Sequence, residues 1–296
     1  MSRPRPATQN RAGWAFLSPA LALIAVFYFL PVLGGLVLSL TDFDIYAIGQ
    51  PGTARLVGLA NYGQALTDPL FWKALGNTFT FVLLGGPLSV ATSLAAAMLV
   101  TSRLARWPGL YRSILFLPVV TTLVAVAIVW RYLFHTQYGL LNWMLGGLGI
   151  HRIDWLGDPH WAMFAIIVMA VWKNFGYNML IFVAGLQSVP DELYEAAALD
   201  GAGAWPRFVH ITLPSLAPTL LFVGVMTMLG NFQLFAEPYV MTQGGPLNAT
   251  TTIVMLMYEQ GFRWWRMGLA SAVAFLLFAL MLAGTAIQLR LQRERR

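Results

Sequence analysis

The residues with most chemistry to offer lie inside one long apolar stretch: Lys173, Asn174 and Tyr177. Lys173 sits about 12 residues from either end of that stretch, roughly 18 Å deep at about 1.5 Å per helical residue. An ammonium at that depth is costly and normally faces a polar cavity or a partner. The cavity is the preferred reading; a structural pair with Glu237 or with backbone carbonyls is the other. Helical spacing puts Lys173 and Tyr177 on one face, with Asn178 partly on it. A later apolar stretch carries Thr227, Asn231 and Leu234 along one helical stripe. Tyrosine rings stack on sugar rings, and amide and ammonium groups bond hydroxyls. This is the chemistry of holding a polyhydroxylated solute, with no bond made or broken.

Bond-making chemistry has no support. The chain has no Gly-x-x-x-x-Gly-Lys phosphate loop, no His-Glu-x-x-His and no Gly-x-Ser-x-Gly. His135, His151, His160 and His210 do not pair at helical ligand spacing, so no metal site is expected. There is no cysteine, which removes disulfides and thiol catalysis. Work against a gradient must therefore draw its energy from a partner or from an ion.

The elements that must position these residues are membrane helices. Apolar residues make up 58% of the chain and charged residues 10%, a balance that cannot cover a soluble surface. Six stretches suit a hydrocarbon core: Phe16 to Leu40, Thr78 to Thr101, Ile114 to Leu133, Trp161 to Gln187, Pro214 to Ala236 and Met267 to Leu289. Only Arg131 and Lys173 bring charge into them. Ser89, Ser93 and Ala97 form a small-residue stripe suited to close helix packing. The fold expected is all-α with six transmembrane helices.

Lys and Arg set the orientation. With the N-terminus inside, the inner segments hold Arg3, Arg5, Arg11, Arg103, Arg106, Arg112, Arg207, Arg290, Arg293, Arg295 and Arg296, against Arg55, Lys73, Arg152, Arg263 and Arg266 outside. Both termini are then cytoplasmic. The inside bias and anionic lipid account for the net charge of +6 without a nucleic-acid partner. The first apolar run is too long for a signal peptide and reads as a retained span. Trp264 and Trp265, between Arg263 and Arg266, read as an interfacial anchor, and Arg131 with Trp130 and Tyr132 reads the same way.

One inner loop is overbuilt for a connector. Ser188 and Asp191 fit a capping pattern, Pro190 suits the first turn, and Asp191 and Glu192 face the positive helix end. The helix should reach about Leu199 and stop at Gly201 in a left-handed cap. Ala196, Ala197, Gly201 and Ala202 leave little side chain on one surface, so a partner could approach the backbone closely. Glu195 and Asp200 offer charges to basic groups. By spacing alone, a docking surface and a helix that merely caps the bundle stand about even.

The same segment carries a longer pattern. Glu195, Ala196, Ala197, Gly201, Ile211, Leu213 and Pro214 match, without a gap, the EAA loop of ABC importer permeases. Gly58-Leu-Ala-Asn61-Tyr62, Trp172 through Gln187, and Gly244-Gly245-Pro246 resemble the carbohydrate branch of maltose and lactose type, and the likeness runs from about Trp14 to Leu289. The resemblance implies an ABC type I importer permease fold. It also implies a second homologous permease subunit, a cytoplasmic ATPase dimer gripping the EAA loop, an extracytoplasmic sugar-binding protein, and a bacterial inner-membrane location. ATP and Mg would lie on the ATPase, with no cofactor on this chain. Counted from the motif, the family's sugar-lining positions fall on Lys173, Asn174, Tyr177, Thr227, Gly230, Asn231 and Leu234. This chain departs from the pattern at two of them: the maltose-type subunit has no lysine at the first, and Gly230 replaces an aromatic.

The implied domains are a cytoplasmic segment (1–13), a first helix with its outer loop (14–73), a permease core (74–289, coupling loop 188–214) and a basic tail (290–296). The rival reading is an ion-coupled secondary carrier acting without an ATPase, against which stand the single intramembrane charge and the lack of an inverted repeat.

Overall fold

The computed structural model describes residues 7–48, 54–102 and 105–293. Arg3, Arg5, Arg103, Arg295 and Arg296 of the orientation count lie outside them, as do parts of the 1–13 segment and the 290–296 tail. Among the described residues the regular structure is helical, apart from the isolated bridges Thr41–Leu56 and Asp44–Arg266. The chain divides into two compact units, one of residues 1–67 and 257–276, the other of residues 68–256 and 277–296.

In the first unit, α1 (Gly13–Ser39) buries none of its most apolar window, the mark of a helix clothed by lipid. A short helix, α2 (Ala60–Thr67), follows. Gly58 takes the left-handed φ of 59° that turns the chain into it. Buried Asn61 donates to the carbonyls of Ser39 (2.9 Å) and Thr41 (2.7 Å), and the Tyr62 hydroxyl meets Ser39 Oγ at 2.8 Å. Asn61 thus satisfies carbonyls left free where α1 ends. This gives the Gly58–Tyr62 stretch a structural reason.

The second unit opens with α3 (Pro69–Thr101). Asp68 caps it by accepting the Leu70 N–H at 2.8 Å, so the helix starts at Pro69 rather than Thr78. After it come α4 (Pro108–Val120), α5 (Leu123–Leu133) and α6 (Leu140–Gly147). The long central helix α7 (Pro159–Gln187) is the most buried span, with 61% of its apolar window enclosed. Asp158 caps it, and the His160 backbone N–H holds that carboxyl below the usual carboxylate range. Then come α8 (Asp191–Leu199), α9 (Ala204–Ser215), α10 (Ala217–Phe232) and α11 (Ala236–Met241); α12 (Ile253–Tyr258) and the last helix, α13 (Met267–Arg293), each have residues in both units.

Four helices, α1, α3, α7 and α13, are long and apolar enough to cross a bilayer, or up to six spans if α4–α5 and α9–α10 each count as one broken span. The third and fifth stretches are therefore not the single helices the apolar runs suggest. Between α4 and α5 the chain bends by 95°. Pro118 cannot donate to the turn before it, and the Thr121 hydroxyl donates to the Pro118 carbonyl at 2.6 Å. Thr121 and Thr122 are both extended, a conformation that β-branched residues favour. The bend of 69° between α9 and α10 falls at Leu216. There Pro218 has no N–H to return to the Pro214 carbonyl.

The Ser89–Ser93–Ala97 stripe lies against α7, at 5%, 0% and 0% exposure. Small side chains let α3 and α7 approach closely, and the Ser93 hydroxyl is satisfied inside its own helix by the Ser89 carbonyl. Ile166, Ile167, Met169 and Ala170 of α7 form one core with Phe81, Val126 and Trp155. Met179, Phe182 and Val183 form another with Leu94, Leu216 and Val223.

Candidate functional site

Two faces of α7 decide the site. One carries Lys173 and Gly176 and packs against α4. A Cβ on Gly176 would collide with the Leu115 carbonyl oxygen and come within 3.1 Å of Phe116 Cα, so only glycine permits this approach. On the same face Lys173, 7% exposed, donates from Nζ to the Val119 carbonyl at 3.0 Å. The other face carries Asn174, Tyr177 and Asn178 and opens into a cavity of about 510 Å³.

The cavity wall combines that face with Thr227, Gly230, Asn231 and Leu234, and with Phe81, Gly85 and Ser89 of α3. Phe81–Gly85 is a wide π turn within α3, a feature frequent at functional sites. Asn178 donates from Nδ2 to Thr227 Oγ1 at 3.0 Å, tying α7 to α10. Asn231 Nδ2 is buried without a hydrogen-bond partner. A Cβ on Gly86 would lie 3.4 Å from that nitrogen. A buried donor left unsatisfied at a cavity wall is suited to a ligand oxygen.

Six of the seven sequence-predicted positions thus line one cavity, and Lys173 is the exception. Spacing put Lys173 with Tyr177, but its side chain turns to α4, and the cavity face runs through Asn174 instead. Glu237, Gln233 and Phe235 also line the wall. Sequence reasoning weighed Glu237 only as a partner for Lys173. Its place three residues past Leu234 gave no helical signal, because α10 ends at Phe232.

The EAA segment forms a separate feature. None of the residues of α8 is buried. Gly201 has φ of 78° and open space at its Cβ. The Ala202 N–H bonds the Ala197 carbonyl (2.9 Å) and the Gly201 N–H bonds the Ala198 carbonyl (3.1 Å), the paired bonds of a Schellman cap. Ser188 does not cap α8; its hydroxyl donates back to Gly185 at 2.7 Å, because Ser188 still belongs to the end of α7. Arg207 Nε donates to the Ala202 carbonyl at 2.6 Å, and Tyr194 meets Thr212 at 2.9 Å. These bonds hold α8 on α9 while leaving Leu199 91% and Trp205 72% exposed. Glu195 and Asp200 are exposed and make no ion pair among the described residues.

Among the described residues no group of His, Asp and Glu could hold a metal ion. Residues 89–296 match the family of binding-protein-dependent transport system inner membrane components. The chain belongs to that family. It is 37% identical to the lactose transport system permease protein LacF of Rhizobium radiobacter, over 96% of this chain and 95% of the other. It is 35% identical to the trehalose/maltose transport system permease protein MalF of Thermococcus litoralis, over 97% and 96%. Its fold matches a chain of a crystallised bacterial ABC transporter involved in import of the acidic polysaccharide alginate, with TM-score 0.79, 23% identity and coverage of 97% and 96%. A binding-protein-dependent permease of this kind is a multi-pass, non-catalytic component of an ABC importer, with the type I fold.

Proposed function

We propose that this permease is the membrane subunit of an ATP-driven sugar importer. It forms half of a translocation path with a second homologous permease and couples to a cytoplasmic ATPase dimer through residues 188–214. ATP and Mg belong to that partner, and an extracytoplasmic binding protein delivers the sugar. Both termini face the cytoplasm. The core of the fold runs from residue 74 to 289, after the first helix and its outer loop (14–73).

The observation that carries the reading is the pairing of an unburied, Schellman-capped α8, bearing Glu195, Ala196, Ala197, Asp200, Gly201 and Ala202, with a polar cavity higher on the neighbouring helices α7 and α10. A helix in this position that buries nothing and shows backbone at Gly201 is suited to a cleft on another protein. A cavity offering amide, hydroxyl and aromatic groups suits sugar hydroxyls and ring faces. The relatives named for lactose and for trehalose and maltose support the same substrate class. In the cavity, Asn174, Tyr177, Thr227, Gly230, Asn231 and Leu234 would touch the sugar. Lys173 would hold α4 in place behind them.

Co-purification tests the reading. The chain should bring down an ATPase whose ATP hydrolysis rises with a sugar-loaded binding protein. Failure to bind any ATPase subunit would remove it and favour an ion-coupled carrier.

A further inference from the structure

The segment joining α5 to α7 carries no Asp, Glu, Lys or Arg from Tyr132 to His151. Within it, Asn142 is the one hydrogen-bonding side chain of α6 besides Trp143, and it is buried and spent inward. Its Nδ2 donates to the carbonyls of Thr136 (3.1 Å) and Ile153 (2.8 Å). Its Oδ1 accepts from the Ile153 N–H (3.2 Å) and the Trp155 indole N–H (3.0 Å), which uses its full bonding capacity. Leu141 and Leu145 pack on the core that holds Phe134 and Trp155. The opposite face presents Leu140, Trp143, Met144 and Leu148 at helical spacing, with Trp143 74% and Leu148 77% exposed. A contiguous apolar patch of this kind marks a surface that something else covers.

We propose that α6 is an interfacial anchor, lying at the bilayer surface with its outer face sunk among phospholipid headgroups and the first acyl carbons. The patch continues a lipid-facing surface. α5, part of a bent membrane-crossing pair, exposes Ile128, Val129 and Tyr132, and exposed Tyr138 leads from there into α6. The inner face of α6 packs on Phe134, which ends α5, and on Trp155, just before α7, so α6 stays level with the ends of those helices. Trp and Tyr favour that depth, because the ring can sink while its N–H or O–H stays wet. The acids of the segment are engaged on their own loop. Asp154 accepts from the Thr136 hydroxyl (2.8 Å) and the Gly157 N–H (3.1 Å), and Asp158 caps α7. Exposed Arg152, just beyond the patch, is left for a headgroup phosphate. A partner protein that comes and goes would leave this face bare in water, whereas lipid covers it throughout.

The test uses the full chain, with cysteine-free partner subunits, in vesicles of phosphatidylethanolamine and phosphatidylglycerol. The chain has no cysteine of its own, so Trp143→Cys, Met144→Cys and Leu148→Cys each take a single nitroxide label. Spin-resonance measurements then compare collisions with oxygen, which concentrates in lipid, and with a water-soluble nickel chelate. The oxygen-to-nickel ratio at all three positions should be at least fivefold above that of the free label in buffer. A ratio equal to that of the free label places the face in water and overturns the proposal; added binding protein that then shields the labels would make the face a docking surface for that protein. Low collision rates with both reagents would mean that another subunit covers α6, and would overturn it equally. A second measurement needs no label. Lipid with brominated acyl chains should quench the share of tryptophan fluorescence that Trp143→Phe removes, and failure to quench that share would also overturn the anchor.

Discussion

Lys173 Nζ and the Val119 carbonyl oxygen lie 3.0 Å apart, joining the middle of the central span to the broken end of the third. Val119 is the next-to-last residue of α4, where carbonyls have no later amide to bond. A helix C-terminus also carries partial negative charge, which favours a nearby cation. The break at Thr121 therefore creates the site that Lys173 fills. The break and the buried ammonium answer each other.

Removing that ammonium should cost stability rather than selectivity. In Lys173→Met the Val119 carbonyl loses its partner inside the unit, a loss of about 1–3 kcal/mol. Thermal denaturation of the detergent-purified complex should show a lowered midpoint, with Lys173→Arg recovering part of it. Sugar preference should stay as in the wild type. A changed preference with unchanged stability would return Lys173 to the substrate wall.

The sequence and the structure part company at places of two kinds. Hydropathy located all six apolar runs, and fixed-spacing rules located the Gly201 cap and the Ser89–Ala97 stripe, because each depends on residues near in sequence. The bend after Pro118 and the capping of α3 by Asp68 rest on near neighbours, Thr121 and Leu70, that a count of apolar runs passes over, whereas the direction of the Lys173 side chain depends on Val119, a partner far along the chain. Lys173 and Tyr177 are one helical turn apart and spacing alone places them together. A long side chain can swing to the adjacent face, and an unpaired carbonyl on α4 is what draws it there. Glu237 was missed as a wall residue for a similar reason: the helical stripe is interrupted after Phe232, and only the folded chain brings it back to the cavity.

Gly176 offers a sharper test of the α4–α7 contact. Its missing Cβ leaves room for the backbone of Leu115 and Phe116, which cannot yield as a flexible side chain would. Gly176→Ala should force the helices apart at a cost of about 1–3 kcal/mol. The yield of intact complex and its thermal midpoint should both fall. The same change at Gly230, where nothing lies within 4 Å of the Cβ position, should leave both unaffected. Equal stability of the two variants would refute the close approach at Gly176.

Asn231 separates function from folding because its Nδ2 is buried without a partner. Deleting an unsatisfied donor removes a desolvation penalty of about 1–3 kcal/mol. Asn231→Leu should therefore leave complex yield and thermal midpoint equal to the wild type or higher. Uptake of sugar into proteoliposomes should nevertheless drop about tenfold, through the lost bond to a hydroxyl. Wild-type uptake kinetics in this variant would remove Asn231 from the substrate path.

Gly201 joins two requirements that different substitutions can pull apart. Its φ of 78° favours glycine, and its Cβ position faces open space. Asparagine tolerates the left-handed backbone better than other side chains, so Gly201→Asn should keep the Schellman cap and most of the ATPase binding. Gly201→Trp adds bulk where the partner's surface would come closest to the backbone, together with about 1–2 kcal/mol of strain. Membrane insertion and sugar binding should persist in the tryptophan variant, since the cavity on α7 and α10 shares no residue with this turn. ATPase recovered with the purified permease should fall at least tenfold, and transport with it. A tryptophan variant that assembles and transports normally would show that the ATPase does not grip this surface, and the docking surface would have to be sought elsewhere on the loop, around Leu199 and Trp205.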